Sequence, residues 1–494
     1  MKKLLTVLLL FSFLAATNAQ NILSLDSCRA LAIKNNKALQ ISQLKIKKAH
    51  YDQKAAFTKY LPSINATGGY MHFSDDISLL SQSQQNKLNN IGTSIGTSIT
   101  PTLEGFVQQI AQINPILGAL AQQFLQSGKL EEMAGALNQV GKDITDAFET
   151  DTRNTWAAAV VLTQPLYMGG KIMAYNKITK LSEDLAALQH DTEMQQVVLS
   201  TDEAYWMVVS LANKQKLADA YLKLVEQLNT DVEKMIAEGV ATQADGLTVK
   251  VKLNEAEMTK NKVDNGLTLS RMLLNQLCGL DLDASVQLAD EQQENLPIKE
   301  QHPNINMEES LNRRPELQSL EIAGKIYDQK VNIVRSEMLP TLALTGGYMT
   351  SNPSLLNGFE NKFRGVWNVG VVLQVPILHW GENFYKVKSA KADAQIAKLQ
   401  HAEVREKVEL QINQSNFKTE EAEKRLVMAL KNMDKAEENL RFANKGFKEG
   451  VIPTTNVMEA QTAWLSAQSE KIDAQIEVRL AQTYLQKAMG VLGK

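Results

Sequence analysis

The sequence predicts a mainly α-helical chain with a small β part, built from one unit that occurs twice. Three observations carry that expectation. First, YLPSINATGGYM (Tyr60 to Met71) returns as MLPTLALTGGYM (Met338 to Met349), displaced by 278 residues. Second, WAAAVVLTQPLYMGG (Trp156 to Gly170) returns as WNVGVVLQVPILHWG (Trp367 to Gly381), displaced by 211. That register holds through Glu238-Gly239-Val240 and Glu449-Gly450-Val451 to Gly279 and Gly490, and a match kept over such a length marks a structural repeat. Third, no proline interrupts Leu166 to Leu296 or Ile377 to Ile452, so helices of unusual length are allowed there.

Taken in order, the chain opens with Lys2 and Lys3, an apolar run from Leu4 to Ala16 and a small-residue site at Thr17-Asn18-Ala19. This is the pattern of a cleaved secretory signal peptide over 1–19. Cleavage would leave 475 residues beginning at Gln20 and move the formal net charge from −3 to −5. That balance speaks against a nucleic-acid partner. No later apolar run reaches the roughly 18 residues a membrane helix needs. The two cysteines, Cys28 and Cys278, cannot build a disulfide framework. A single bridge between them is open, with two buried thiols the expectation.

The first repeat is expected over 20–280, with strands near 61–73 and 155–167 and long helices over about 171–278. The second is expected over 305–494, with strands near 339–350 and 366–377 and long helices over about 382–490. The two offsets differ by 67 residues, which places an insertion in the first repeat at about 74–150. Its Phe106, Val107, Ile110, Ile113, Ile116, Leu117 and Leu120 would make one apolar helical face. A polar linker, 281–304, carries Pro297 and Pro303.

Period-two alternation marks the strands. Trp367, Val369, Val371 and Leu373 share one face, as do Trp156, Ala158, Val160 and Leu162. Trp156, Trp367, Tyr70 and Tyr348 stand at strand ends, where an aromatic belt belongs. In the helical runs, Ala422, Leu426, Ala429, Met433, Ala436, Leu440, Ala443 and Phe447 step by four and three. This is a coiled-coil seam lined with small residues. In the first repeat the seam is read at Leu211, Ala218, Leu222, Val225, Val232 and Ile236, interrupted by Gln215 and Asn229.

Four strands cannot stand alone in a bilayer, because an open sheet edge leaves unpaired N–H and C=O groups in hydrocarbon. Three copies would pool 12 strands, above the roughly eight at which such barrels begin. The expected fold is therefore four transmembrane β-strands per chain, a trimeric 12-strand barrel, and long coiled-coil helices forming a periplasmic α-helical barrel.

The duplicated order of TGGYM, LTQPLYMGGK, EGVATQADGLTVK and EGVIPTTNVMEAQ resembles the TolC family of outer-membrane efflux proteins. The resemblance covers nearly the whole mature chain except the insertion. It implies a homotrimer in outer-membrane lipid. It also implies a periplasmic adaptor (membrane fusion) protein and an inner-membrane pump of the RND or ABC type as partners. At the matching positions the family places acidic residues around the narrowest point of the lumen, which here points to Asp245, Asn456 and Glu459. The Tyr and Arg that often lock the gate in that family are replaced by Phe447 and Ile452. The turns at Gly239-Val240 and Gly450-Val451 are implied as the tip surface that meets the adaptor. The residues themselves also admit a plainer role: Thr242 and Asp245 have the spacing of a capping box, and Pro453 that of a first-turn proline.

No catalytic arrangement is present in the sequence: no H-x-x-x-H, Cys-x-x-Cys, G-x-S-x-G or phosphate-binding loop. The chain is thus expected to be no enzyme and to hold no cofactor or metal. The competing expectation is a periplasmic coiled-coil adaptor or scaffold, which would have no barrel.

Overall fold

The computed structural model describes residues 22–74, 153–293, 305–354 and 361–493, with isolated positions between 81 and 122. The expected leader, most of the insertion and residues 294–304 of the linker lie outside the described residues. The chain divides into two compact units.

One unit comprises Met1–Lys54, Asn176–Val331 and Lys388–Lys494 and is helical. Its first elements are β1 (Ile22–Leu23), α1 (Leu25–Asn35) and α2 (Lys37–Phe57). Ser24 starts α1 by accepting a hydrogen bond from the Ser27 amide at 3.2 Å, which satisfies one of the orphan donors of a helix end. Then come α3 (Lys171–Ala237) and α4 (Gln243–Cys278), and after β4 (Gln287–Leu288) the short α5 (Met307–Arg313) and α6 (Pro315–Ser336). The second long pair is α7 (Glu382–Lys448) and α8 (Thr454–Ala488). Both α3 and α7 have 67 residues, about 100 Å at about 1.5 Å per residue. The starts of α3 and α7, and of α4 and α8, are each 211 residues apart.

The duplication reaches further back than the motifs. Helices α2 and α6 begin 278 residues apart, so the earlier register extends through a helix ahead of each strand pair. These helices were not expected, because their short apolar rows carry no motif. The linker also differs from expectation. Leu288 and Glu291 are buried, and β4 pairs in parallel with β1. Polar composition reads as a loop, but Glu291 is held by an ion pair with Arg271 at 2.9 Å.

All eight residues of the α7 seam are buried, Ala422 to Phe447. Ala422, Leu426 and Ala429 pack with Ala474, Val478 and Ala481 of α8. Small side chains at this contact let two backbones approach closely, so packing is dense without long rotamers to order. In α3 the seam shifts from its expected line: Ala218, Tyr221, Val225, Leu228 and Val232 are buried, while Leu211, Leu222 and Ile236 are half-exposed. Tyr221 and Val225 pack with Ala256 of α4, and this larger ring takes the place that leucine spacing assigned to Leu222.

A polar clamp sits in the same unit. The Arg29 guanidinium grips Asp202 with two bonds, at 2.7 and 2.6 Å, and the Asp202 side chain is fully buried. Burial pushes the Asp202 carboxyl upward, and Arg29 opposes the shift. A bidentate partner is what makes a buried carboxylate tolerable.

The second unit comprises Ala55–Tyr175 and Asn332–Val387. Its sheet runs β2 (Ser63–His72), β3 (Asn154–Met168), β5 (Thr341–Asn352), β6 (Arg364–Gln374), in that spatial order and antiparallel throughout. No described strand pairs with the outer edge of β2 or β6. No described helix is long and apolar enough to cross a membrane.

The seam yields a test. Ala429→Leu forces a branched side chain into a contact with no room and should cost about 1–3 kcal/mol. Lys431→Leu, on the exposed face, should stay within about 0.5 kcal/mol. Thermal melting followed by helical circular dichroism distinguishes the two.

Candidate functional site

The sheet has two chemically different faces. In antiparallel pairs, directly opposed residues share a face, so the register sorts every side chain. One face carries Ile64, Ala66 and Tyr70 of β2, with Trp156, Val160 and Leu162 of β3 opposite. Leu344 and Tyr348 of β5 and Trp367, Val369, Val371 and Leu373 of β6 continue it. The other face holds Asn65, Thr67, Thr155, Ala157, Ala159, Thr163, Thr345, Gly347, Asn368 and Gly370, mostly small or polar, together with Met71, Val161, Met349, Val366 and Val372. Across all four strands Arg364 alone is charged. The apolar face is open to solvent in the single chain, with Trp367 at 76% and Val369 at 68% exposure. An apolar, charge-free face of this extent suits hydrocarbon.

The four aromatic residues marked in the sequence lie on that face toward one end. Tyr70 is opposite Trp156, with ring centroids 4.6 Å apart, and Tyr348 is opposite Trp367. A fifth, missed in the sequence, stands at the other end. The ladder of β3 slips between Pro165 and Tyr167, so Tyr167 pairs with Leu342 and joins the apolar face instead of the polar one. A bulge re-aims every side chain beyond it; the proline, which lacks an amide donor, was the available signal. From Trp156 to Tyr167 is about 36 Å along the strand at about 3.3 Å per residue. At a tilt of about 40° that is about 28 Å of height, close to the band of an outer-membrane barrel.

The helical unit presents two equivalent turns. After α3, Gly239 takes a φ of +75°, and after α7, Gly450 takes +73°. The Val240 amide donates to Met235 O at 2.8 Å, and the Val451 amide to Gly446 O at 2.8 Å. Both are the left-handed glycine closure that ends helices. A Cβ on either glycine would meet nothing within 4 Å, so glycine is demanded by backbone conformation and not by crowding. Val240 and Val451 are 69% and 77% exposed, two β-branched apolar side chains held outward at the turns.

Beyond the first turn, Thr242 and Asp245 form the capping box reciprocally. The Asp245 amide donates to Thr242 Oγ1 at 3.2 Å, and the Thr242 amide and hydroxyl donate to Asp245 Oδ2 at 3.0 and 2.6 Å. The hydroxyl, then the amide, holds the Asp245 carboxyl below the usual carboxylate range. In the second turn Pro453 is itself the cap, one position earlier than expected, with no side-chain bond. Asn456 and Glu459 are exposed on α8, three residues apart and so on one face.

Phe447 and Ile452, at the expected locking positions, turn inward. Phe447 is buried with Leu228, Val232, Val249, Val457 and Met458, and Ile452 packs against the same cluster. Gly446 makes that possible, because a Cβ there would come within 2.5 Å of Ile452 Cδ1. Gly246 does the same for Ile236 at 2.7 Å. Neither glycine stood out in the sequence, since close approach becomes visible only when both helices are in place.

No group of three or more His, Cys, Asp or Glu among the described residues is arranged to hold a metal.

Residues 306–491 match the family described as outer membrane efflux protein. No curated protein matches by sequence. Solved structures share the fold over almost all of the chain. They include VceC of Vibrio cholerae (14% identity, TM-score 0.68, 94% of this chain and 96% of that one) and the CmeC outer-membrane channel of Campylobacter jejuni (15%, 0.70, 94% and 85%). The MtrE outer-membrane channel of Neisseria gonorrhoeae is a third (16%, 0.66, 94% and 89%).

The capping box predicts a pH effect. A carboxyl whose folded pKa is lowered adds stability above its unfolded value, near 3.9, and loses it as pH falls through the folded value. Asp245→Asn should therefore speed hydrogen exchange in the first turn of α4 at pH 7 and change little below about pH 2.

Residues 306–491 thus carry the outer membrane efflux protein domain, and the chain shares the fold of solved outer-membrane channels over almost all of its length.

Proposed function

We propose that three copies of this chain form an outer-membrane channel that passively conducts substrates outward, as the exit duct of a tripartite efflux or type I secretion system. The observation that carries the reading is the four-stranded sheet, with one charge-free apolar face and two outer edges that no described strand pairs. Each unpaired backbone group in hydrocarbon costs several kcal/mol, so an edge of β6's length costs on the order of tens of kcal/mol. Closure with sheets of two further copies removes that cost, and 12 strands leave room for a lumen. The smaller, more polar face then lines the duct and the apolar face meets lipid.

In this reading Asp245, Asn456 and Glu459 form the pore constriction. Three copies of two carboxylates would favour cations and repel anions there. Phe447 and Ile452 pack inward, so a lock of the kind the family often uses has no side chains here. The exposed turns at Gly239-Val240 and Gly450-Val451 serve as contact for a periplasmic adaptor bound to an inner-membrane pump. Two turns of matching backbone geometry, each offering one valine, suit a repeating apolar partner surface.

Two measurements test this. In planar bilayers the purified protein should show a small, cation-selective conductance, and Asp245→Asn with Glu459→Gln should lose the selectivity. Unchanged selectivity would leave both residues as surface groups of their helices, and absence of both conductance and trimers would sink the channel. Val451→Arg should leave melting within about 0.5 kcal/mol of the parent while lowering efflux-dependent resistance in cells at least tenfold; retained resistance would remove the turn from the adaptor contact.

A further inference from the structure

The chain's two cysteines lie 250 residues apart in sequence, yet both are fully buried in one core cluster with Tyr205, Trp206, Leu267 and Leu288. Three separate contacts bring the end of α4 onto α1. Cys278 Sγ lies 3.7 Å from Cys28 O. Asn35 Nδ2 donates to Cys278 O at 2.9 Å. Gly279, at φ +69°, is so close to Asn35 that a Cβ would overlap the Asn35 Cβ at 2.4 Å. Both thiols are free and buried in the structure, and the neighbouring Cys278 together with burial pushes Cys28 upward. Around them the Arg29–Asp202 clamp ties α1 to α3, and β1 pairs with β4.

We infer that Cys28 and Cys278 close an intramolecular disulfide when the chain folds in the cell envelope, stapling α1 to the base of α4. A buried pair of thiols has an ordinary explanation as two small core residues. Against it stands the pairing itself: these are the chain's only cysteines, and the fold sets them against each other across the whole first repeat. With two thiols in all, one intramolecular bridge exists and no reshuffling is required. The oxidant is the disulfide of an envelope dithiol oxidase. One cysteine, as thiolate, attacks that disulfide and expels one oxidase thiolate. The other, as thiolate, then attacks the mixed disulfide and expels the second. Two chain thiols are oxidised, one oxidase disulfide is reduced, and two protons pass to solvent or the oxidase. Because both sulfurs are inaccessible in the folded chain, this exchange precedes core closure.

The inference rests on export of the chain, so the test reads location and redox state separately. The full-length protein, expressed with its leader, is recovered from envelope fractions. It is denatured in a polyethylene-glycol maleimide with and without prior reduction. The expected result is no labelled thiol before reduction and two after it, in a monomeric band, with an intact mass lower by two hydrogens. Cys278→Ala should leave Cys28 labelled without reduction; if that variant does not accumulate, the mass of the parent chain decides. Two labels before reduction, or a covalent dimer, would overturn the staple while leaving the channel reading in place. Protein retaining residues 1–19 in the cytoplasm would instead refute export.

Discussion

A β-strand surrounded by hydrocarbon must find hydrogen-bond partners along both edges, because nothing in the solvent replaces them. This constraint governs the sheet unit. Four strands are joined in one antiparallel ladder, and the two outermost, β2 and β6, have no partner on their outer edges among the described residues. Strand alternation gathers the bulky apolar and aromatic side chains mainly on one face and the small and polar ones mainly on the other, and Arg364, at the start of β6, is the single ionised group of the four strands. A sheet so constituted is poorly suited to water on its apolar face and poorly suited to lipid at its edges, two separate demands on the same four strands.

The helical unit solves a different problem, that of holding helices of about 100 Å against each other. Burial of bulky side chains along such a length would demand many ordered rotamers, each with an entropic cost. The α7–α8 contact instead uses Ala422, Ala429, Ala474 and Ala481 around Leu426 and Val478. Alanine loses no side-chain entropy on burial and favours the helix itself. The first repeat uses larger rings, with Tyr221 against Ala256 and Tyr205 bonded to Asp290 at 2.6 Å. The two repeats thus share helix positions while packing with different side-chain sizes, as expected of copies that drifted while keeping the same backbone frame.

The turns show how equal geometry carries unequal chemistry. Gly239 and Gly450 close their helices in the same way, yet the first turn is followed by a full capping box and the second by a bare Pro453 cap. Asp245 is therefore engaged with Thr242, whereas Asn456 and Glu459 stand on an open helix face. A carboxylate committed to a cap keeps its charge to lower pH, so the first turn stays anionic over a wider pH range than an ordinary carboxylate would;.

The sequence by itself determined the duplication, the four strands and the small-residue seam of α7, because each rests on periodicity or on a repeated motif, which are properties of the chain order. The apolar face of the sheet was legible in the alternation of Trp367, Val369, Val371 and Leu373 for the same reason. Tertiary structure decided the rest. Tyr221 became the buried member of the contact beside Ala256, with Leu222 packed only partly buried against it. Tyr167 joined the apolar face because the ladder slips at Pro165; the proline hints at a break in the ladder, but only the paired strand fixes which way the side chains beyond it are re-aimed. Gly246 and Gly446 acquired their meaning from Ile236 and Ile452 across a turn. Cys28 and Cys278 became neighbours through folding alone, since contacts between positions 250 residues apart depend on how helices dock and leave no periodic trace in the chain.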